Sequence, residues 1–311
     1  MIPAMQRQTR AYLYALTAVF FWSTVASAFK LALRQVSPVA LLLYSSAASA
    51  AILFVVLVLQ RKVHMLAGGS ASDYARSALL GLLNPLLYYA MLFHAYALLP
   101  GQEAQPLNYT WALALALLSI PLLKQRIRLV SLLAIVISLA GVCVIATRGR
   151  MFSLRFTDPL GVSLALGSSV VWALFWIGNM KDRRDEVAKL FLNSACGFVF
   201  VSIYAVCIGE WAWPAWAGLA GGAYVGVFEM GITYVLWLKA LALSRTTAQV
   251  SNLIFLAPFL SLVLLHHVAG ERIFPSSVAG LVLIVAGIAI QRATARQDRA
   301  VEANLAECPP D

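Results

Sequence analysis

Residues 104–111 read AQPLNYTW, and the pattern returns at 248–255 as AQVSNLIF. Gln, Asn and an aromatic residue recur at i, i+3 and i+6, so on a helix the three side chains of each copy share one stripe. Both copies lie in apolar runs, where an unpaired amide is costly. The repeat predicts two matching polar faces inside a membrane protein.

Composition supports that setting. The chain has 311 residues, 61% hydrophobic and only 12% charged, with mean hydropathy +0.83, which is too apolar for a soluble domain of this length. Its net charge of +10 sits in short clusters between apolar runs without a nucleic-acid motif, which argues against a nucleic-acid partner. Cys143, Cys196, Cys207 and Cys308 show neither CxxC nor metal spacing and are expected to be reduced packing residues. Arg7, Arg10 and the small triplet Ala26, Ser27, Ala28 imitate a cleavable leader. The apolar run 11–29 is nevertheless long enough to span a bilayer and is expected to be retained as the first helix.

Apolar runs of about 20 residues predict spans near 11–33, 38–59, 77–98, 102–123, 129–147, 159–180, 187–208, 215–238, 247–267 and 275–292. The predicted fold is an all-α polytopic membrane protein with ten transmembrane helices. Pro38, Pro159, Pro214 and Pro275 fall at helix starts, where a missing N–H costs little, whereas Pro85 and Pro258 lie inside spans and predict kinks. With a cytoplasmic N-terminus, seventeen of the 23 Lys and Arg residues lie inside and six (Lys30, Arg34, Arg148, Arg150, Arg155, Arg272) outside. The positive-inside rule then places both termini in the cytoplasm of a bacterial inner membrane protein.

The repeat extends beyond the opening stripe. Phe21 and Trp22 match Val171 and Trp172, and residues 139–142, LAGV, match 285–288, VAGI. The expected organisation is an N-terminal five-helix repeat over 1–150, a C-terminal one over 151–292, and a disordered cytoplasmic tail over 293–311. Five is odd, so the halves are inverted about an axis in the membrane plane, an arrangement that places a substrate site near the midplane.

Inversion splits the stripes. Gln105 and Asn108 are expected near the outer mouth, Gln249 and Asn252 near the inner one, with Trp111 and Phe255 closer to the midplane. These amides also suit plain helix-to-helix hydrogen bonding, worth about 1 kcal/mol each. Ser169, Trp172, Trp176 and Asn179 form a similar face, and Asn84, Tyr88 and Met91 another. The periodicity leaves open which of Tyr88 and Tyr89 faces the cavity. Glu229, the carboxylate well inside an apolar run, is a candidate for proton coupling, as is His94, which is also a candidate substrate contact. Lys30 is expected to snorkel outward, and His266 and His267 to lie at the interface. No HExxH, GxSxG or phosphate loop occurs, so neither an enzyme nor a metal or other cofactor is expected.

With ten spans in two halves, FWSTVASAFK at 21–30 and the AGV and AGI endings, the chain resembles the EamA family of the drug/metabolite transporter superfamily. The WST of residues 22–24, LNYTW of 107–111 and VW of 171–172 look like the bacterial aromatic amino acid exporters within it. The resemblance implies a basket of ten helices, an amino acid substrate such as Phe, Tyr or Trp, and a cavity lined by Asn108, Tyr109, Trp111 and Trp172. It fits the residues, since aromatic walls suit an amphipathic ring and amides suit its zwitterion. A proton remains a candidate coupling ion. The rivals are a broader drug or nucleotide-sugar carrier, a polytopic membrane enzyme and a non-transporting receptor.

Overall fold

In lipid every backbone N–H and C=O must be satisfied within the protein, which turns long apolar runs into helices. The computed structural model describes residues 4–123, 129–149, 158–211, 216–244 and 252–307, and among these all regular structure is helical. Six of the described helices are long and apolar enough to cross a membrane: Arg7–Ala32, Pro38–Leu59, Ala71–Leu98, Pro159–Met180, Glu186–Cys207 and Trp216–Leu243. Their outward faces carry Phe20, Leu59, Val199 and Ile203 exposed, the surface that lipid covers. Cys143 and Cys207 also stand exposed and do not pack inside the bundle as expected.

In chain order the first half contains α1 (Ala4–Ala32), α2 (Pro38–Leu59), α3 (Ala71–Gly81), α4 (Tyr88–Leu98), α5 (Gly101–Asn108), α6 (Trp111–Leu123) and α7 (Leu129–Ala146). The second contains α8 (Pro159–Met180), α9 (Glu186–Cys207), α10 (Trp216–Tyr224), α11 (Ile232–Leu243), α12 (Leu256–His267) and α13 (Pro275–Glu307). Helix starts follow the local chemistry. Ser37 accepts from the Ala40 amide at 3.2 Å ahead of Pro38, and Asp158 from the Gly161 amide at 2.7 Å ahead of Pro159. Pro275 opens α13, while Pro214 lies outside the described residues. The tail expected to be disordered continues α13 to Glu307, consistent with its Ala, Arg, Gln and Glu content.

Three apolar runs are broken where the sequence predicts single helices. A π segment, Leu82–Leu87, joins α3 to α4 around Pro85, with Asn84 at φ −147° and ψ 117°, so the predicted kink is present. A second, Val225–Glu229, joins α10 to α11. The run expected as one helix over 102–123 divides at Tyr109 and Thr110. There the Thr110 hydroxyl donates to Leu107 O at 2.7 Å and its amide donates to the same oxygen at 3.3 Å, tightening the turn. Pro258, the other predicted kink, is the third residue of α12, which directly follows the 3-10 turn Asn252–Phe255. Its missing N–H therefore falls in the helix's first turn, where no intrahelical partner is lost.

Packing between the halves is reciprocal. α1 lies against α11 and α12, as α8 lies against α4 and α6; α2 meets α10, as α9 meets α3. α7 packs along α13 with backbones in close approach: a Cβ on Gly141 would lie 2.6 Å from Gly280 O, and one on Gly287 2.5 Å from Ala134 O. The two contacts interchange in the register that pairs Gly141 with Gly287 and Ala134 with Gly280.

The ends of the bundle differ in chemistry. One end carries Lys30, Glu103, Arg148 and Glu271; the other carries Lys62, Asp182, Arg184 and Asp185. At the latter, Asp185 accepts from the Val187 and Ala188 amides at 3.1 Å and pairs with Lys62 at 2.5 Å, linking the start of α9 to the end of α2. Burial pushes the Asp185 carboxyl up, but Lys62 and these amides outweigh it and hold it below its ordinary value. Burial likewise raises Asp182, and the hydrogen bonds and charge of Arg184, 2.5 Å away, outweigh that and leave it lowered.

Candidate functional site

A cavity of about 370 Å³ lies between the halves, walled by α1, α4, α5, α6, α8 and α11, with Glu229 at the end of the second π segment. Tyr88 and Trp172 approach to 4.5 Å between ring centroids, Trp176 meets Trp172 edge-on, and Trp22 meets Trp237 edge-on at 5.3 Å. Aromatic faces therefore dominate the wall. Among the described residues, no Lys or Arg lines it.

Beyond the cavity, at the end that carries Glu271, the helix ends are tied together. The Glu271 carboxylate accepts from the Gly101 amide at 2.8 Å and the Gln102 amide at 3.2 Å, an anion seated on the first turn of α5. Gln102 in turn accepts from the Phe274 amide at 2.7 Å and donates from its side chain to Arg272 O. Lys30 does not snorkel: its Nζ donates to Tyr96 O at 2.9 Å and Leu99 O at 3.1 Å, covering the last carbonyls of α4. Arg148 adds a pair with buried Glu103 at 2.8 Å. In the other direction the lining extends to Met180 and Leu241, in the last turns of α8 and α11.

The stripe that opened the sequence faces this cavity as one surface. Gln105, Asn108 and Trp111 all line it, with Gln105 and Asn108 buried. Asn108 is already committed at both ends of its amide: Oδ1 accepts from the Tyr88 hydroxyl at 3.1 Å, and Nδ2 donates to Ser168 Oγ at 2.9 Å. Gln105 Oε1 and Trp176 Nε1 are buried without a hydrogen-bond partner. Tyr109 also lines the cavity. In the second copy, Gln249 lies outside the described residues, as do the side chains of Asn252 and Phe255.

Tyr88 faces the cavity, whereas Tyr89 is fully buried behind it and donates to Glu229 Oε1 at 3.1 Å. His94 is not among the lining residues; its ring Nδ1 lies 2.7 Å from Ala90 O, one turn earlier. Asn179 pairs with Asn193 at 3.2 Å outside the cavity, and Met91 packs on Gly167 of α8. Sequence reasoning missed Trp22, Tyr96 and Trp237 as wall residues. The match of Trp22 with Trp172 in the repeat was the signal for the first of these. A wider groove of about 590 Å³ lies among α1, α10 and α12. Its one basic side chain, Arg34, is tied to Ala269 O at 2.7 Å, so the aromatic cavity is the stronger candidate.

The model of the EamA-like transporter family matches residues 9–147 and again 159–291. An uncharacterized transporter of Clostridium kluyveri is 25% identical over 89% of this chain and 91% of its own. The aromatic amino acid exporter YddG of Ancylobacter novellus is 25% identical over 68% of this chain and 73% of its own. A solved protein structure superimposes with a TM-score of 0.65 at 23% identity, covering 93% of this chain and 98% of that one, which shows a shared fold.

Proposed function

The chain belongs to the EamA-like transporter family, and from that premise we propose that it exports amino acids, chiefly Phe, Tyr, Trp and related neutral ones, by alternating access around the aromatic cavity. It is a multi-pass membrane transporter and not an enzyme. The observation that carries the proposal is the shape of the cavity: walled by aromatic rings, with the helix ends tied together at the Glu271 end and the lining extended to Met180 and Leu241 at the other. A transporter with one closed and one open mouth has that shape. Flat aromatic walls favour a planar ring, and similarity to an aromatic amino acid exporter supports the same substrate class.

The proposed architecture is ten spans in two inverted halves, 1–150 and 151–292, in a bacterial inner membrane with both termini cytoplasmic. Two separate matches to one family model support the repeat, as do the reciprocal packing of the halves and the two π breaks at corresponding places. With the termini inside, the sealed Glu271 end is periplasmic and the cavity faces the cytoplasm, where an exporter loads. Tyr88, Trp172, Trp176, Tyr109 and Trp111 are assigned to substrate. Glu229, which lies in the cavity, is preferred over His94 for a test of proton coupling.

Proteoliposomes loaded with labelled phenylalanine test the reading. Saturable efflux and counterflow with Trp and Tyr are expected, and absence of both for every amino acid would reject it. Broader drug and metabolite efflux is the second reading, favoured by a wall that is mostly aromatic and aliphatic. A nucleotide sugar fits poorly, because its phosphates call for basic residues and the described lining has none.

A further inference from the structure

Glu229 is the one carboxyl in a described lining otherwise made of rings, amides and aliphatic side chains. It is 8% exposed, its Oε1 accepts from Tyr89, and its Oε2 is buried with no hydrogen-bond partner. A buried acceptor left without a donor costs about 1–3 kcal/mol, more where charge is involved, and no cationic side chain lines the cavity to meet it among the described residues.

We infer that Glu229 Oε2 receives the ammonium group of the substrate, so that the cavity selects aromatic compounds bearing a protonated amine. The inference rests on the reading of this cavity as the substrate site and names the group that the site recognises. Three observations support it. First, Trp22, Trp172 and Trp237 line the same space as the carboxyl, and an ammonium is attracted to the faces of such rings. Second, Asn108 has a donor and an acceptor committed within the protein, whereas Glu229 Oε2 and Gln105 Oε1 are buried acceptors on the described lining without a partner.

Third, the acid breaks the symmetry of the repeat. Pairing Gly81 with Gly226 and Tyr89 with Tyr234 sets Asn84 against Glu229, each within its half's π segment. The two halves thus supply an amide and a carboxyl at one structural position, and the carboxyl is the one that lines the cavity. Trp176 Nε1, an unpartnered donor on the same wall, suits the carboxylate of a zwitterion.

Binding of three compounds to the purified full-length protein, followed by intrinsic tryptophan fluorescence, tests the inference: L-phenylalanine, phenethylamine and 3-phenylpropionate. The first two, which carry the ammonium, are expected to bind about tenfold or more tightly than the third. Glu229→Gln is expected to abolish that preference, and Glu229→Asp to keep it. Equal binding of phenylpropionate and phenethylamine to the unaltered protein overturns the inference even if neither variant folds, as does failure of all three to bind. A preference unchanged in Glu229→Gln also overturns it. Ammonium-dependent binding without phenylalanine flux would reject the exporter reading and leave the ammonium site standing. Phenylalanine flux with phenylpropionate bound equally well would do the reverse.

Discussion

Tyr89, on α4 of the first half, donates its hydroxyl hydrogen to Glu229 at 3.1 Å, at the end of the π segment of the second. The bond crosses between the halves at a fully buried tyrosine. It fixes one carboxyl oxygen and leaves the other facing its surroundings unpaired.

Removal of that hydroxyl strips Glu229 of its described hydrogen bond. Tyr89→Phe is expected to destabilise the protein by about 1–3 kcal/mol, read as a lower unfolding midpoint in detergent. The double variant with Glu229→Gln is expected to lose less than the sum of the single changes, because the two residues act as one unit. Additive losses would show that the bond carries no coupling.

Trp172 lies against Tyr88 at 4.5 Å with the rings tilted by 31°, and also borders Phe175, Trp176 and Tyr234. Trp172→Phe keeps a ring against the substrate and is expected to retain most phenylalanine flux. Trp172→Ala is expected to cut flux about tenfold or more, beyond the effect of its lower stability, which for a buried Trp is about 3–5 kcal/mol. Flux lost in proportion to folded protein in both variants would make Trp172 a packing residue only.

How much of this was readable in advance varies with the physics involved. Helices and proline starts follow from apolar length and local capping, so Pro38 and Pro159 were placed from the sequence. Tyr88 and Tyr89 could not be separated because adjacent helical residues point about 100° apart and the π segment before them shifts the phase. Asn108 was visible as a costly amide in an apolar run, but its partners Tyr88 and Ser168 lie 20 and 60 residues away. Whether such a group is free for a ligand is a tertiary fact. The seal follows the same rule, since Glu271 and Gln102 meet across 169 residues.

The α7 and α13 backbones meet through Gly141 and Gly287 in equivalent contacts. An added Cβ at either needs the opposing carbonyl, of Gly280 or Ala134, to move. Gly141→Val and Gly287→Val are each expected to cost about 1–3 kcal/mol by overpacking. Similar losses in unfolding midpoint are expected, since the same contact is disturbed. A tolerated change at one site and collapse at the other would count against the reciprocal packing.

Asp182 and Asp185 are both held below the ordinary carboxylate range, by Arg184 and by Lys62 with the α9 amides, against burial. The unfolded chain therefore binds their protons more tightly. Their stabilisation is complete above about pH 4, the unfolded-state value, and is lost as pH falls through the folded values. Asp182→Asn and Asp185→Asn are expected to lower the unfolding midpoint at neutral pH and to flatten its decline in acid. Variants as stable as the parent at neutral pH would remove these pairs from the stability of that end.

The seal offers a test of gating that does not depend on knowing the substrate. Glu271→Ala removes the acceptor of the Gly101 and Gln102 amides, and loss of a hydrogen bond to a charged group costs about 1.5–3 kcal/mol. That is enough to shift a two-state gate about tenfold or more. Tyr96 is buried, lines the cavity, and has its carbonyl held by Lys30, so Tyr96→Cys, with the native cysteines replaced by serine, reports access past the seal. A membrane-impermeant maleimide added at the Glu271 face is expected to label it about tenfold faster when Glu271→Ala is present. Glu271→Gln, which keeps one oxygen acceptor, is expected to fall between. Equal labelling in all three backgrounds would mean that the carboxylate on α5 does not hold the mouth shut, and that closure depends on packing of the surrounding helix ends.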